Sequence, residues 1–373
     1  MKKLSPKKTM SGEKIIVGLS GGVDSSVSAL LLKEQGYDVE GLFMKNWEEQ
    51  FPSGECMWEA DVEDAMQICE KLEIPINTVD LADDYWERVF SNFLEEYKNG
   101  RTPNPDVLCN QEIKFSAFLA HATDLGAQKI ATGHYARIRK VNGHFQLIKG
   151  LDSNKDQSYF LCRLTQDQLS LSLFPVGKLE KYAVRELAKK AGFQLHDKKD
   201  STGICFVGER PFREFLSRYI PEQSGEIQTA DGEVVGQHNG VFYYTLGQRQ
   251  GLGIGGIQGA NEAPWYIYRK DIGNNILYVV QGHDHALLYS QKLTATDLNW
   301  ISGHPPETPF SCVAKTRYRQ ADQACTIEHI ENQTCSVIFE DAQRAVTPGQ
   351  FIVFYDTDTC LGGGIIDSTS KSF

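Results

Sequence analysis

The feature that most constrains the fold is Ser20-Gly21-Gly22-Val23-Asp24-Ser25-Ser26, which lies between the apolar run 14–19 and an amphipathic segment, 25–35, stopped by Gly36. A short apolar run, a glycine turn and then a 3.6-residue period read as strand, loop and helix. A phosphate cage needs inward backbone N–H groups, glycines that permit close approach, and hydroxyls or a helix N-terminus. The heptamer offers all three, but it lacks the lysine of a P-loop and so is not that motif. The plainer reading is a glycine turn with a Ser or Asp N-cap. The position between a strand and a helix favours the cage.

The same alternation continues with a strand at 39–44, a helix at 59–72, a strand at 76–80 and a helix at 82–97. It predicts a parallel sheet with helices on both faces. The loop 100–108, with Gly100, Pro103 and Pro105, precedes a helix at 110–125 closed by Gly126. A strand at 129–132 leads into Gly133-His134-Tyr135, Asn142-Gly143 marks a hairpin, and 178–191 is helical. After Pro211 the character changes. One helix at 211–219 gives way to strands broken by Asp231-Gly232, Asn239-Gly240 and the glycine run 251–256, and then to strands at 311–319, 334–339 and 351–355. That spacing suits a small β-rich domain followed by a small barrel. A chain of 373 residues is too long for one ordinary core. The expected division is 1–210 for an α/β domain, 211–288 for a β-rich central domain and 289–373 for a C-terminal β-barrel.

Hydrophobic residues at 41% and charged residues at 23% fit a globular chain and exclude extensive disorder. No apolar run reaches the ~18 residues of a membrane span, and the start MKKLSPKKTMSGEK lacks the apolar stretch of a signal peptide. A cytoplasmic protein with no membrane partner is expected. Nine cysteines without regular spacing do not form a secreted disulfide framework. No Cys-x-x-Cys pair or Cys/His finger spacing occurs, His283 and His285 read as surface residues, and no metal ligand is assigned. The net charge of −11 argues against a nucleic-acid partner. Local clusters run the other way: Arg137, Arg139 and Lys140; Lys198 and Lys199; Lys315, Arg317 and Arg319. On charge alone the solvated-surface reading of each stays ahead.

Two cysteines stand in reactive settings. Cys109, in Asn104-Pro105-Asp106-Val107-Leu108-Cys109-Asn110, is expected just before a helix whose N-terminal dipole favours a thiolate. Cys205, in Asp200-Ser201-Thr202-Gly203-Ile204-Cys205-Phe206, follows Lys198 and Lys199, cations that would lower its pKa. For Cys56, Cys69, Cys162, Cys312, Cys325, Cys335 and Cys360 the buried structural reading is kept.

The heptamer resembles the PP-loop of the ATP pyrophosphatases, which let a substrate oxygen attack the α-phosphorus of ATP. Seven blocks in order resemble the bacterial tRNA 2-thiouridylase family nearly end to end: SGGVDSS, FMKNW (43–47), NPDVLCN, TGHYA (132–136), KDQSYFL (155–161), STGICF and TRYRQ (316–320). The resemblance implies an adenine nucleotide α-hydrolase-like, doubly wound N-terminal domain. It implies ATP held by Gly18, Leu19, Ser20, Gly21, Gly22, Val23, Asp24 and Ser25, with Met44 and Gly133 flanking the adenine and Mg2+ expected without a dedicated protein ligand. Asn104, Pro105 and Asp106 would meet the target base. Lys155, Asp156 and Gln157, with Arg317 and Tyr318, would contact tRNA. Cys109 would be the nucleophile, Cys205 the persulfide carrier and Asp106 a candidate general acid/base or a loop-orienting group. A transient Cys109–Cys205 disulfide follows from those roles. The implied partners are tRNAs for lysine, glutamate and glutamine, and a sulfur-relay protein fed by a cysteine desulfurase. The rivals are a PP-loop adenylating synthetase or amidotransferase acting on a small molecule, a related tRNA enzyme that attaches lysine, and an ATP-binding regulatory module without turnover.

Overall fold

The computed structural model describes residues 12–48, 56, 58–199, 212–254 and 263–370. The apolar runs of the first half form one parallel sheet. Its order is Ile76–Asp80, Asp38–Lys45, Lys14–Leu19, Lys129–Ala131, Ser172–Leu173. Lys14–Leu19 is central, and Ile15, Ile16 and Val17 are wholly buried, as a strand covered on both faces requires. The chain goes to one side of this strand and then crosses to the other, so a crevice opens at its C-terminal end. The Ser20–Ser26 loop emerges there.

From Phe212 on, the described residues are all β apart from one helix, Phe212–Ser217, and short 3₁₀ turns. Four strands in the order Trp265–Asp271, Ile276–Gln281, Gly225–Thr229, Val234–His238 form the middle sheet. Six more close a barrel, in the order Tyr289–Trp300, Thr334–Arg344, Gln323–Glu331, Phe310–Lys315, Phe351–Asp356 and Thr359–Ser370, the last pairing back onto the first. The fold class is therefore the expected one: an α/β domain with a doubly wound parallel sheet, a small β-rich domain and a terminal barrel.

The three parts are not beads. The hairpin Ala136–Val141/His144–Lys149 turns at Asn142 and Gly143, with φ 50° and 88°. It pairs with the barrel through Ile148↔Thr359 and Leu147↔Cys360. One hydrophobic core contains Met44 and Phe118 of the α/β domain, Ile227 and Leu277 of the middle sheet, and Phe351 and Tyr355 of the barrel. Helix Phe212–Ser217 and its following turn dock by aromatic contacts, with Tyr219 against Phe90 at 5.0 Å between ring centroids.

Two expectations are corrected. The helix expected at 110–125 begins at Pro105 and runs on to Asp124, with a π-helical stretch at Cys109–Ala117. Proline is well placed at a first helical position, where its missing N–H costs nothing, and Asn104 caps the turn by accepting from Val107 N–H. The strand expected at 311–319 ends at Lys315, so Arg317 and Tyr318 occupy a connecting loop.

Candidate active site

The anion loop joins Lys14–Leu19 to helix Val23–Glu34. Gly21 has φ 64°, and a Cβ there would lie 2.4 Å from Asp61 O, so only glycine fits. Gly22 occupies the N-cap position, and no side chain caps the helix. The Ser and Asp cap of the plainer reading is therefore absent, and N–H groups of the first turn face the crevice without a side-chain acceptor. The hydroxyls brace the loop. Ser25 Oγ accepts from Ser20 N–H at 3.3 Å and donates to Gly22 O at 3.1 Å, and Ser26 Oγ donates to Gly22 O at 2.8 Å. A Cβ on Gly133 would stand 2.7 Å from Ser25 N, so Thr132–Tyr135 lies directly on the start of the helix. Met44 Cε and Phe118 Cζ reach to 3.4 and 3.3 Å of the Cβ position on Gly18. The residues expected to surround ATP are thus brought together around one crevice.

Two lysines from elsewhere in the chain reach the loop. Lys181 Nζ donates to both oxygens of Asp24 at 2.8 Å, and Tyr135 Oη donates to Asp24 Oδ1 at 2.7 Å. Lys198 Nζ donates to Gly21 O at 3.0 Å, to Asp61 Oδ1 at 2.8 Å and to Asp64 Oδ2 at 2.6 Å. Burial pulls the Lys198 pKa down, but the hydrogen bonds to Asp61 and Asp64 outweigh it and raise the net value. The charge of Lys198 is thus engaged at the anion loop, whereas the sequence assigned it to Cys205. Cys205 itself lies outside the described residues. Neither lysine was singled out for the loop, because each is more than 150 residues from its partner there.

Cys109 is fully buried. It sits one turn inside the helix rather than before it, a correction to its expected place. Asn110 donates through Nδ2 to Asp106 O at 2.9 Å, and its buried Oδ1 finds no partner. Upstream, Asn104, Pro105 and Asp106 line an open pocket of about 310 Å³ together with Phe93, Tyr97, Phe212 and Gln350. Gln350, from the barrel, donates to Thr102 O at 2.8 Å and fixes the wall. Tyr159 stands beside the Asn104 side chain and donates to Phe351 O at 3.0 Å.

The segments 155–161 and 316–320, far apart in sequence, meet. Tyr318 packs on Phe160 at 4.3 Å between centroids, and Lys315 lies 3.8 Å from Asp156. Asp156 is buried and accepts from Gly150 N–H, Ser158 N–H and Ser158 Oγ. Gln157 Oε1 accepts from Tyr135 N–H at 2.9 Å. Both side chains therefore hold the backbone of this corner, with Lys155 on its partly exposed side. Arg317 Nη2 donates to Ala345 O at 2.7 Å, Thr347 Oγ1 at 3.1 Å and Leu246 O at 3.2 Å, and burial depresses its pKa. That guanidinium ties the barrel to the segment at Leu246, outside the middle sheet's strands. In the other basic cluster, Arg137 pairs with Asp358, and Lys140 covers the Phe145 ring.

The cysteines read as structural are buried or half-buried, and burial pushes Cys69, Cys162 and Cys335 up to about 12. Among the described residues no group of three or more His, Cys, Asp or Glu could hold a metal ion, and no helix is long and apolar enough to cross a membrane.

A parallel sheet with an anion loop at its switch point, followed by two β modules, defines the class. Residues 13–209 match the family model described as the tRNA methyl transferase HUP domain. Residues 213–281 match the tRNA methyl transferase PRC-barrel domain, and 290–366 the aminomethyltransferase beta-barrel domain. The chain is 58% identical over 357 residues to a protein of Nitrosomonas eutropha named tRNA-specific 2-thiouridylase MnmA, covering 96% of this chain and 99% of that one. Proteins of the same name from Psychromonas ingrahamii and Francisella tularensis subsp. novicida are 58% and 56% identical. They cover 95% and 96% of this chain, and 97% and 100% of their own lengths. The chain belongs to the tRNA-specific 2-thiouridylase family.

Proposed function

We propose that this chain is an ATP-dependent tRNA uridine 2-sulfurtransferase, which activates the C2 oxygen of the wobble uridine and replaces it with sulfur. The observation that carries this reading is the match to 2-thiouridylases over almost the whole length of both chains. A small-molecule synthetase or amidotransferase is not favoured by relatives of that length and name.

In this reading Gly18–Ser25 cradles the phosphates of ATP while Met44 and Gly133 border the adenine. Mg2+ would enter with the nucleotide, and Asp24 is the one carboxylate of the loop. Uridine O2 attacks the α-phosphorus and pyrophosphate leaves, which makes a poor leaving oxygen into AMP. The uridine must leave its stack to be reached, and the Asn104–Asp106 pocket, at about 310 Å³, has the size of a small-ligand site. Asp106 serves as acid/base or orients the pocket wall. The terminal sulfur of a persulfide on Cys205 goes to C2, and AMP departs. Cys109 cleaves the sulfur–sulfur bond, either freeing hydrosulfide as nucleophile or taking over the disulfide after direct attack. Each turnover then leaves a Cys109–Cys205 disulfide to be reduced.

Lys155 and Tyr318 meet tRNA from the shared corner, while Asp156, Gln157 and Arg317 act by holding it. The substrates are tRNAs for lysine, glutamate and glutamine. The sulfur comes from a relay protein fed by a cysteine desulfurase, and the work is done in the cytoplasm by three domains, 1–210, 211–288 and 289–373. Nucleoside mass spectrometry of tRNA from cells lacking the protein tests the whole: 2-thiouridine should vanish, and its persistence would sink the reading.

A further inference from the structure

Cys312 and Cys325 face each other across the antiparallel strands Phe310–Lys315 and Gln323–Glu331. They are direct register partners, and their sulfurs lie 3.7 Å apart. Residues directly opposite in such a ladder have Cα atoms about 4.5–5.5 Å apart, inside the roughly 4.4–6.8 Å that a disulfide spans. The backbone therefore already has the spacing that a bond needs. Between the two cysteines runs the loop that carries Arg317 and Tyr318.

We propose that Cys312 and Cys325 are an oxidisable dithiol, a covalent modification site that closes to a disulfide in the presence of a peroxide and staples the base of the Arg317–Tyr318 loop. The two sulfurs have unequal surroundings, and this sets the order of events. Cys312 is half-buried and reachable, whereas Cys325 is 3% exposed and packs in the barrel core. The contact with Cys312, with burial behind it, raises the Cys325 thiol above its usual range. The outer sulfur is the one a peroxide can reach, and a thiolate is the nucleophile in thiol oxidation. Cys312 attacks hydrogen peroxide, an O–O bond breaks, and Cys312 becomes a sulfenic acid with release of one water. The Cys325 sulfur then displaces the sulfenic oxygen as a second water, forming the S–S bond. Two thiols and one peroxide give one disulfide and two waters. Cys335 is excluded as the partner by register, since it faces Ala295 and Ile330 on the neighbouring strands.

The test uses the full-length protein without ATP or tRNA, so its outcome is independent of the proposed activity. Reduced protein is exposed to hydrogen peroxide, alkylated and mapped under non-reducing conditions. The expected result is a peptide pair linked through Cys312 and Cys325 that dithiothreitol separates. The oxidised protein should melt roughly 5 °C above the reduced one, because the short ring restricts the unfolded chain. Cys312→Ser, at the half-buried position, should retain the reduced protein's melting point and lose both the linked peptide and the shift. The proposal is overturned if Cys312 advances to sulfinic or sulfonic acid while Cys325 stays alkylatable after unfolding. It is equally overturned if the shift persists in Cys312→Ser.

Discussion

The anion loop at 20–26 and the helix start at 104–109 carry the two halves of the proposed chemistry, and they differ in what surrounds them. Around the loop, the charged groups are held by partners: Asp24 by Lys181 and by the Tyr135 hydroxyl, and Lys198 by Asp61 and Asp64. Cys109, by contrast, is fully buried within the hydrophobic core. The two lie close. Phe118, whose ring touches the Gly18 position, is on the same continuous helix as Cys109, at most about 14 Å along its axis. In the proposed mechanism the contrast means that the nucleotide half is preorganised, whereas the sulfur half needs movement before the Cys109 thiol meets a substrate. π-Helical geometry, which begins at Cys109 itself, is often found at functional positions.

The sharpest way to break this contrast is Cys109→Ser. It should lower thiolation by about 10³-fold or more, the order lost with a covalent nucleophile, while tRNA-dependent pyrophosphate release continues. Loss of both activities together would mean that the halves are not separable. Next in size is Lys181→Met, which leaves Asp24 without its bidentate cation. A part-buried charge-assisted pair of this kind is worth about 2–3 kcal/mol, so pyrophosphate release should fall roughly 30- to 150-fold with the fold intact by circular dichroism. An unchanged rate would remove Lys181 from the nucleotide half.

Arg317→Ala probes the distal corner. Because its Nη2 is committed to three internal oxygens, the change should cost about 2 kcal/mol of stability in denaturant melts and leave the salt slope of tRNA binding unaltered. A slope reduced by about one unit would show that its charge meets a phosphate instead. The smallest effect concerns His134, buried between Phe115 and Phe174 with Nδ1 2.8 Å from Thr132 Oγ1. Burial, followed by the nearby Lys114, pulls its pKa well below the usual value, so the folded state keeps it neutral while the unfolded chain takes a proton. Stability attributable to this residue is fully present above about pH 6.5 and is lost as pH falls toward the folded pKa. The slope is at most about 1.4 kcal/mol per pH unit, and His134→Gln should remove it from a pH series of melts.

Local chemistry made much of this legible in advance. The Ser20–Ser26 heptamer, the alternation around it and the Asn142-Gly143 turn are short-range patterns, and the strand, loop, helix and hairpin stand where they pointed. Pro105 reads in sequence as a loop residue, because its role depends on whether Asn104 caps the turn, which is a matter of φ, ψ and one hydrogen bond. Lys181, Lys198, Gln350 and Tyr159 could not be read as site residues, since their partners are brought to them only by tertiary folding. For Asp156 and Arg317 the resemblance implies tRNA contact, and their inward bonds to Gly150 N–H and Ala345 O depend on backbone groups that carry no sequence signal.

The seam between the Ala136–Lys149 hairpin and the barrel has a consequence for dissecting the molecule. Leu147 and Ile148 pair with Cys360 and Thr359, so the barrel shields the outer edge of a strand that belongs to the nucleotide half. A fragment ending near residue 209 would carry its anion loop intact but expose the strand His144–Lys149, with its unpaired N–H and C=O groups, to any passing chain. Edges of that kind recruit further strands. Such a fragment should self-associate as concentration rises, and its insolubility would report on the missing barrel rather than on any defect in the nucleotide fold.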